Sequence, residues 1–80
     1  MNESNIFIVI PTYNESKTIG AIVRALNQRG FRVIVVDDGS KDNTIVEANK
    51  FGAELIVNAK NAGKGRCIRE GLEYALENNC

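Results

Sequence analysis

Ile6-Phe7-Ile8-Val9-Ile10-Pro11-Thr12-Tyr13-Asn14-Glu15 and Val33-Ile34-Val35-Val36-Asp37-Asp38-Gly39-Ser40 decide the fold. Each is a short, β-branched apolar run that stops at polar, turn-forming residues, and a helical pattern starts directly afterwards. Continuous apolar runs of this length suit strands buried on both faces by helices. In open α/β sheets ligands bind just beyond the carboxyl ends of the strands. Two adjacent strands ending in such groups would build one wall of a site.

Outward from these junctions the chain reads β-α-β-α-β-α. Ile19, Ile22, Val23 and Leu26 recur at helical spacing, with Asn14 expected as the N-cap and Gly30 after the last turn. Ser40 or Asp42 suits the cap of a second helix that carries Ile45, Val46, Ala48 and Phe51 and stops at Gly52. Ala53–Val57 is a third, weaker strand. The loop Asn58–Gly63 leads into a last helix with Cys67, Ile68, Gly71, Leu72, Ala75 and Leu76 on one face. Strands alternating with helices in this way predict an α/β fold with a parallel sheet and right-handed crossovers. If the second and third strands lie successively to one side of the first, the first keeps a free edge, which invites association. A fourth strand would cover that edge. The 80 residues contain none, so they read as part of a larger domain or as a half-domain needing a partner.

Composition narrows the function. With 44% hydrophobic and 25% charged residues the chain has the make-up of a soluble globular protein. Ten basic residues balance ten acidic ones, so no basic face suggests nucleic acid. There is no histidine, and Cys67 and Cys80 form no Cys-x-x-Cys pattern, which argues against zinc and for a reducing compartment. The longest apolar run is far short of the ~20 residues of a transmembrane helix. Acidic Glu3, with no basic stretch before an apolar core, does not support a signal peptide. A cytoplasmic location is expected, or the inner membrane face if the complete protein carries an anchor.

Three segments carry chemistry, each with a plainer reading beside it. Pro11 should terminate the first strand, since it cannot extend a ladder. Tyr13 offers a flat ring for stacking on a base, and Glu15 a carboxylate at a helix start; the plain reading is a strand stop and a dipole-matched helix start. Asp37 and Asp38 can accept hydrogen bonds from a nucleobase N–H or ribose, or help hold a metal; the plain reading is an Asx-turn using one of them as a cap. Asn61-Ala62-Gly63-Lys64-Gly65 looks like a phosphate loop but lacks G-x-x-x-x-G-K-[ST] spacing, so a Walker A site is rejected. A lysine at a glycine-rich helix start remains an anion site or a solvated connection. No G-x-G-x-x-G follows the first strand, which argues against a dinucleotide dehydrogenase. Cys67, Phe31, Phe51 and Tyr74 read as packing residues.

Taken in order, Ile10-Pro11-Thr12-Tyr13-Asn14-Glu15, Val35-Val36-Asp37-Asp38-Gly39-Ser40-Lys41-Asp42-Asn43-Thr44, Asn61-Ala62-Gly63-Lys64-Gly65 and Gly71-Leu72 resemble family 2 glycosyltransferases of the GT-A fold. Within that family the chain looks most like the dolichyl- and polyprenyl-phosphate sugar transferases. The resemblance implies a three-layer βαβαβα half of a Rossmann-like nucleotide-sugar-binding domain, with residues 1–80 as its N-terminal part. It implies a UDP- or GDP-linked sugar donor, with Pro11, Thr12, Tyr13 and Glu15 against base and ribose. Asp38 would bond the base, Lys64 would lie near it or the phosphates, and Asp37 is the less defined member.

The family also implies an Asp-x-Asp segment that holds Mg²⁺ or Mn²⁺ against the diphosphate, and a downstream carboxylate base. Neither occurs in these residues, so no catalytic or metal-binding residue is assigned and the isolated chain is expected to be catalytically silent. The acceptor would be a polyprenyl phosphate, and the free sheet edge would let the chain associate with itself. A non-catalytic nucleotide-binding or interaction module is the main rival. A phosphoacceptor receiver domain fits less well, because its acidic pair follows the first strand rather than the second.

Overall fold

The structure, a computed structural model, describes residues 6–78; Glu3 and Cys80 lie outside them. Strands β1 (Phe7–Thr12), β2 (Arg32–Asp37) and β3 (Glu54–Val57) alternate with helices α1 (Ile19–Gln28), α2 (Thr44–Lys50) and α3 (Lys64–Asn78). The sheet is parallel with order β1-β2-β3, pairing Val9 with Ile34 and Val36 with Ile56. This is the expected α/β architecture, with β2 central and β1 at an edge.

Successive side chains of a strand point to opposite faces, and β2 feeds both. Val33 and Val35 pack with Ile19 and Val23 of α1 and Ala48 of α2, while Ile34 and Val36 pack with Cys67 of α3. All four β2 side chains are essentially inaccessible. At about 1.5–3 kcal/mol per fully buried aliphatic side chain, β2 is the main apolar anchor. On the α3 face a Cβ at Gly71 would collide with Val9 and lie 3.3 Å from Val36 Cγ2. The missing side chain therefore sets how closely α3 approaches β1.

At the amino ends of the strands, polar groups tie the layers together. Arg32 Nη2 lies 2.6 Å from Glu54 Oε1, and the Tyr74 hydroxyl donates to the same oxygen at 2.9 Å. The guanidinium also stacks 4.4 Å from the centre of the Phe7 ring. Tyr74 is thus a packing residue with a polar tip that needs a partner.

Several expectations need correction. β1 meets both helix layers, with Ile10 on one face and Phe7 and Val9 on the other, but it is only half-buried from Phe7 to Pro11 because one of its edges has no neighbouring strand. Pro11 does not end β1, which continues to Thr12 opposite Asp37. The carbonyls of Ile6 and Thr12 accept from the N–H groups of Arg32 and Asp38, so odd-numbered residues of β1 turn their nitrogens to the free edge, where proline loses no ladder bond.

The helix starts also differ. Asn14 does not cap α1; it adopts a left-handed conformation (φ 51°), and α1 begins after Thr18. The residue before α2 is Asn43, and neither it nor Ser40 makes a side-chain cap; Asp42 Oδ1 instead accepts the Thr44 N–H at 3.0 Å. Ile22, Val46, Ile68, Leu72 and Leu76 are exposed, not packed on the core. The faces of these short helices in contact with the sheet are narrower than their apolar stripes.

Candidate functional site

The parallel register sets Thr12 beside Asp37, so both strands leave the sheet at the same level. Beyond this point Pro11, Thr12, Tyr13, Glu15, Asp38 and Lys64 line one open cavity of about 340 Å³, together with Asn61 and Cys67. Six of the seven residues expected at a site therefore meet in one place. Tyr13 stands at the rim with 44% of its surface exposed. Thr12 is buried, its hydroxyl donating to the Ile10 carbonyl at 3.1 Å. Glu15 is exposed, and its carboxylate accepts from the Thr18 hydroxyl at 3.4 Å. Lys64 is the first residue of α3, where helix N–H groups favour anions.

Asp38 has a precise local task. Its carboxylate accepts the N–H of Ala62 at 2.6 Å and that of Gly63 at 3.0 Å, which fastens the loop before α3 to the end of β2. The Ala62 N–H is the chief reason its pKa lies below the usual aspartate value, with Gly63, Cys67 and Asn58 adding to the effect against partial burial. Burial and the neighbouring Asp38 push the Cys67 thiol up, so it remains a neutral thiol at the cavity floor. Gly39 makes this junction possible. Its φ of +83° is costly for other residues, and a Cβ there would lie 3.5 Å from backbone atoms of Asn58, Ala59 and Asn61.

Asp37 is not among the residues that line the cavity. It is fully buried, with Oδ2 accepting the Ser40 N–H at 2.9 Å and Oδ1 lacking a hydrogen-bond partner among the described residues. The acidic pair therefore splits, Asp37 into the turn and Asp38 into the cavity wall. It does not fit a divalent cation, because N–H groups are directed at Asp38 and Asp37 is enclosed. Among the described residues no three potential metal ligands converge, and no helix is long and apolar enough to cross a membrane.

Some functional positions were not visible in the sequence. Cys67 packs in the core as expected, yet it also floors the cavity. Asn58 reaches Glu70 Oε1 at 2.8 Å and steadies the loop from its other end. The pairing of β2 with β3 places Asn58 and the packing of α3 on β2 places Cys67, and no local motif carries either.

Residues 7–78 match the family model described as Glycosyl transferase family 2. Glycosyltransferase AglJ of Haloferax volcanii is 39% identical over 71 residues, which are 88% of this chain and 23% of that protein. The UDP-N-acetylglucosamine–dolichyl-phosphate N-acetylglucosaminyltransferase of Methanococcus voltae is 47% identical over 45 residues, 55% of this chain and 18% of that protein. The solved structure of M. tuberculosis glucosyl-3-phosphoglycerate synthase superposes with a TM-score of 0.75 at 28% identity, covering 86% of this chain and 30% of that one. The chain spans about a third or less of the length of the curated relatives it matches. The structural likeness agrees with the parallel GT-A architecture expected from the sequence. Since the family match runs from the first residue of β1 to the last of α3, the chain belongs to glycosyl transferase family 2.

Proposed function

We propose that residues 1–80 form the N-terminal, donor-nucleotide-binding half of a glycosyltransferase domain. The complete enzyme would transfer a sugar from a UDP- or GDP-linked donor. One observation carries this reading: Pro11, Thr12, Tyr13, Glu15, Asp38 and Lys64 share a single cavity at the carboxyl ends of adjacent strands. Tyr13 would stack on the base, Glu15 would accept from ribose hydroxyls, and ionised Asp38 would accept from a base N–H with lone pairs its loop bonds leave open. Lys64 and the start of α3 would face the diphosphate. Asp37 would act from behind, through the turn it holds.

A polyprenyl phosphate acceptor is supported by the relative that acts on dolichyl phosphate. It would place the complete enzyme at the cytoplasmic membrane face. Mg²⁺ or Mn²⁺ belongs to this reading of the complete enzyme, with ligands that are not among the described residues. The isolated chain would bind nucleotide without transferring sugar.

Titration of the folded chain with UDP and with GDP tests the site. Binding of one is expected; failure of both, with dispersed amide resonances, overturns it. A transfer assay with donor and Mn²⁺ should show no turnover by the 80-residue chain, and robust turnover would refute its silence. The rival reading, a nucleotide-binding module without catalysis, is favoured by the cavity forming wholly from these elements. Sugar transfer by the complete protein would exclude it.

Self-association follows from the edge. On α3, Glu70 and Tyr74 reach toward β3, so the opposite flank with Ile68 and Leu72 lies toward the unpaired side of β1. A second copy would cover both. Sedimentation should show the chain forming dimers or larger species, and a monodisperse monomer at high concentration would contradict this.

A further inference from the structure

The second loop follows β2 and runs through Ser40-Lys41-Asp42-Asn43 to Thr44 at the start of α2. None of these five side chains touches the cavity, yet the loop's polar atoms converge on the first loop, residues 13–18 between β1 and α1. Ser40 Oγ accepts the Asn14 N–H at 2.8 Å, Thr44 Oγ1 accepts the Glu15 N–H at 2.8 Å, and Asp42 Oδ2 accepts the Ser16 N–H at 3.3 Å. Three consecutive backbone donors are thus taken by three side chains of the second loop. The contact is returned once, by Lys41 N–H to Asn14 Oδ1 at 2.9 Å.

The direction of these bonds is fixed. Asp42 Oδ1 accepts both the N–H and the hydroxyl of Thr44. With its proton committed to Asp42, the Thr44 hydroxyl offers its lone pairs to Glu15. Thr44 is fully buried, so no water competes for this position. The left-handed turn at Asn14 keeps the three donors out of α1, which begins only at Ile19. Asparagine is among the residues that tolerate that conformation. Tyr13 and Glu15 flank Asn14 directly, so their positions follow from these bonds.

We propose that Ser40, Asp42 and Thr44 form a clasp that sets Tyr13 and Glu15 for the nucleotide. On this view the second loop serves the site by holding the backbone of the first. The proposal rests on the nucleotide reading above and adds positioning residues to it. Exposed loops are the mobile part of a fold, and a flat ring contributes little to stacking unless it is held at the correct angle.

Amide exchange and nucleotide titration together test the clasp in the 80-residue chain. Thr44→Val keeps the shape and removes the hydroxyl; Thr44→Ser keeps the hydroxyl. In Thr44→Val the Glu15 amide should exchange about tenfold faster, while the Ile34 and Val36 amides of β2 keep their parent rates. Affinity for UDP or GDP should fall by about the same factor, and Thr44→Ser should restore both. Should Thr44→Val prove too unstable to study, Ser40→Ala gives the same comparison at the Asn14 amide. Unchanged exchange at these amides overturns the clasp. Faster exchange with unchanged affinity overturns its role at the site. If the parent binds neither nucleotide, the nucleotide reading fails together with the clasp's role in it, while exchange still decides whether the clasp exists.

Discussion

The two strand-to-loop junctions look alike in sequence and behave differently in the fold. After β2, Asp37 and Asp38 are buried and their carboxylates hold backbone N–H groups of Ser40, Ala62 and Gly63. After β1, Tyr13 and Glu15 are exposed, and the backbone between them is held by residues 40–44. One junction supports and the other presents. The difference follows from strand position. A central strand delivers its polar end into the interior, where unpaired groups are costly, whereas the edge strand β1, buried at Thr12, delivers the residues after it to solvent.

The comparison breaks most completely at Asp38. Asp38→Ala leaves the Ala62 and Gly63 N–H groups without their acceptor and frees the loop that carries Lys64. Nucleotide affinity should fall about a hundredfold, and Asp38→Asn, which keeps one acceptor oxygen, should fall about tenfold. Calorimetric titration of the three proteins checks the order. Equal affinities would mean that the loop does not depend on this carboxylate.

Packing beneath the first junction is next. Gly71→Val would drive a side chain into Val9 and Val36 and push α3 from the sheet. A loss of roughly 1–3 kcal/mol in urea unfolding is expected. An unchanged midpoint would show that α3 can shift at no cost.

Tyr13→Ala should separate presentation from support. Affinity should drop about tenfold, the range of one aromatic–base stack, with little change in the urea midpoint because the ring stands at the cavity rim, outside both core clusters. Tyr13→Phe should bind normally. A fall in stability equal to the fall in affinity would make Tyr13 a supporting residue instead.

The smallest effect is the response to acid. Thr44 holds Asp42 at about 2, and Asp38 and Glu54 also lie below their ordinary values of 3.8 and 4.5, through Ala62 and Arg32 respectively. In each case the unfolded chain takes up protons first, so stability is complete above those ordinary values and declines as pH falls toward 2. Urea midpoints from pH 7 to pH 2 should stay level and then drop. Asp42→Asn should make the drop shallower, and rising stability below pH 4 would reverse the assignment.

Much of the fold was legible because β-branched runs and helical spacing are local signals. Alternation of Val33 to Val36 between two helix layers needed no more than the period of a strand. The limits were equally physical. Pro11 reads as a strand stop unless the strand is known to lie at an edge with its nitrogens outward. Asn14 reads as a helix cap until its side chain meets Lys41, 27 residues away. Ile68 and Leu72 look like core on a helical wheel, and only the seating of α3 through Gly71 turns them outward.

By itself the sequence determined the parallel βαβ units, the two junctions, and which residue types gather beyond the strands, because periodicity and turn chemistry are written within a few residues. The tertiary structure decided which carboxylate enters the cavity, why Gly71 is bare, and how residues 40–44 hold the first loop. Those outcomes depend on register and edge position between distant segments, and no local pattern encodes them.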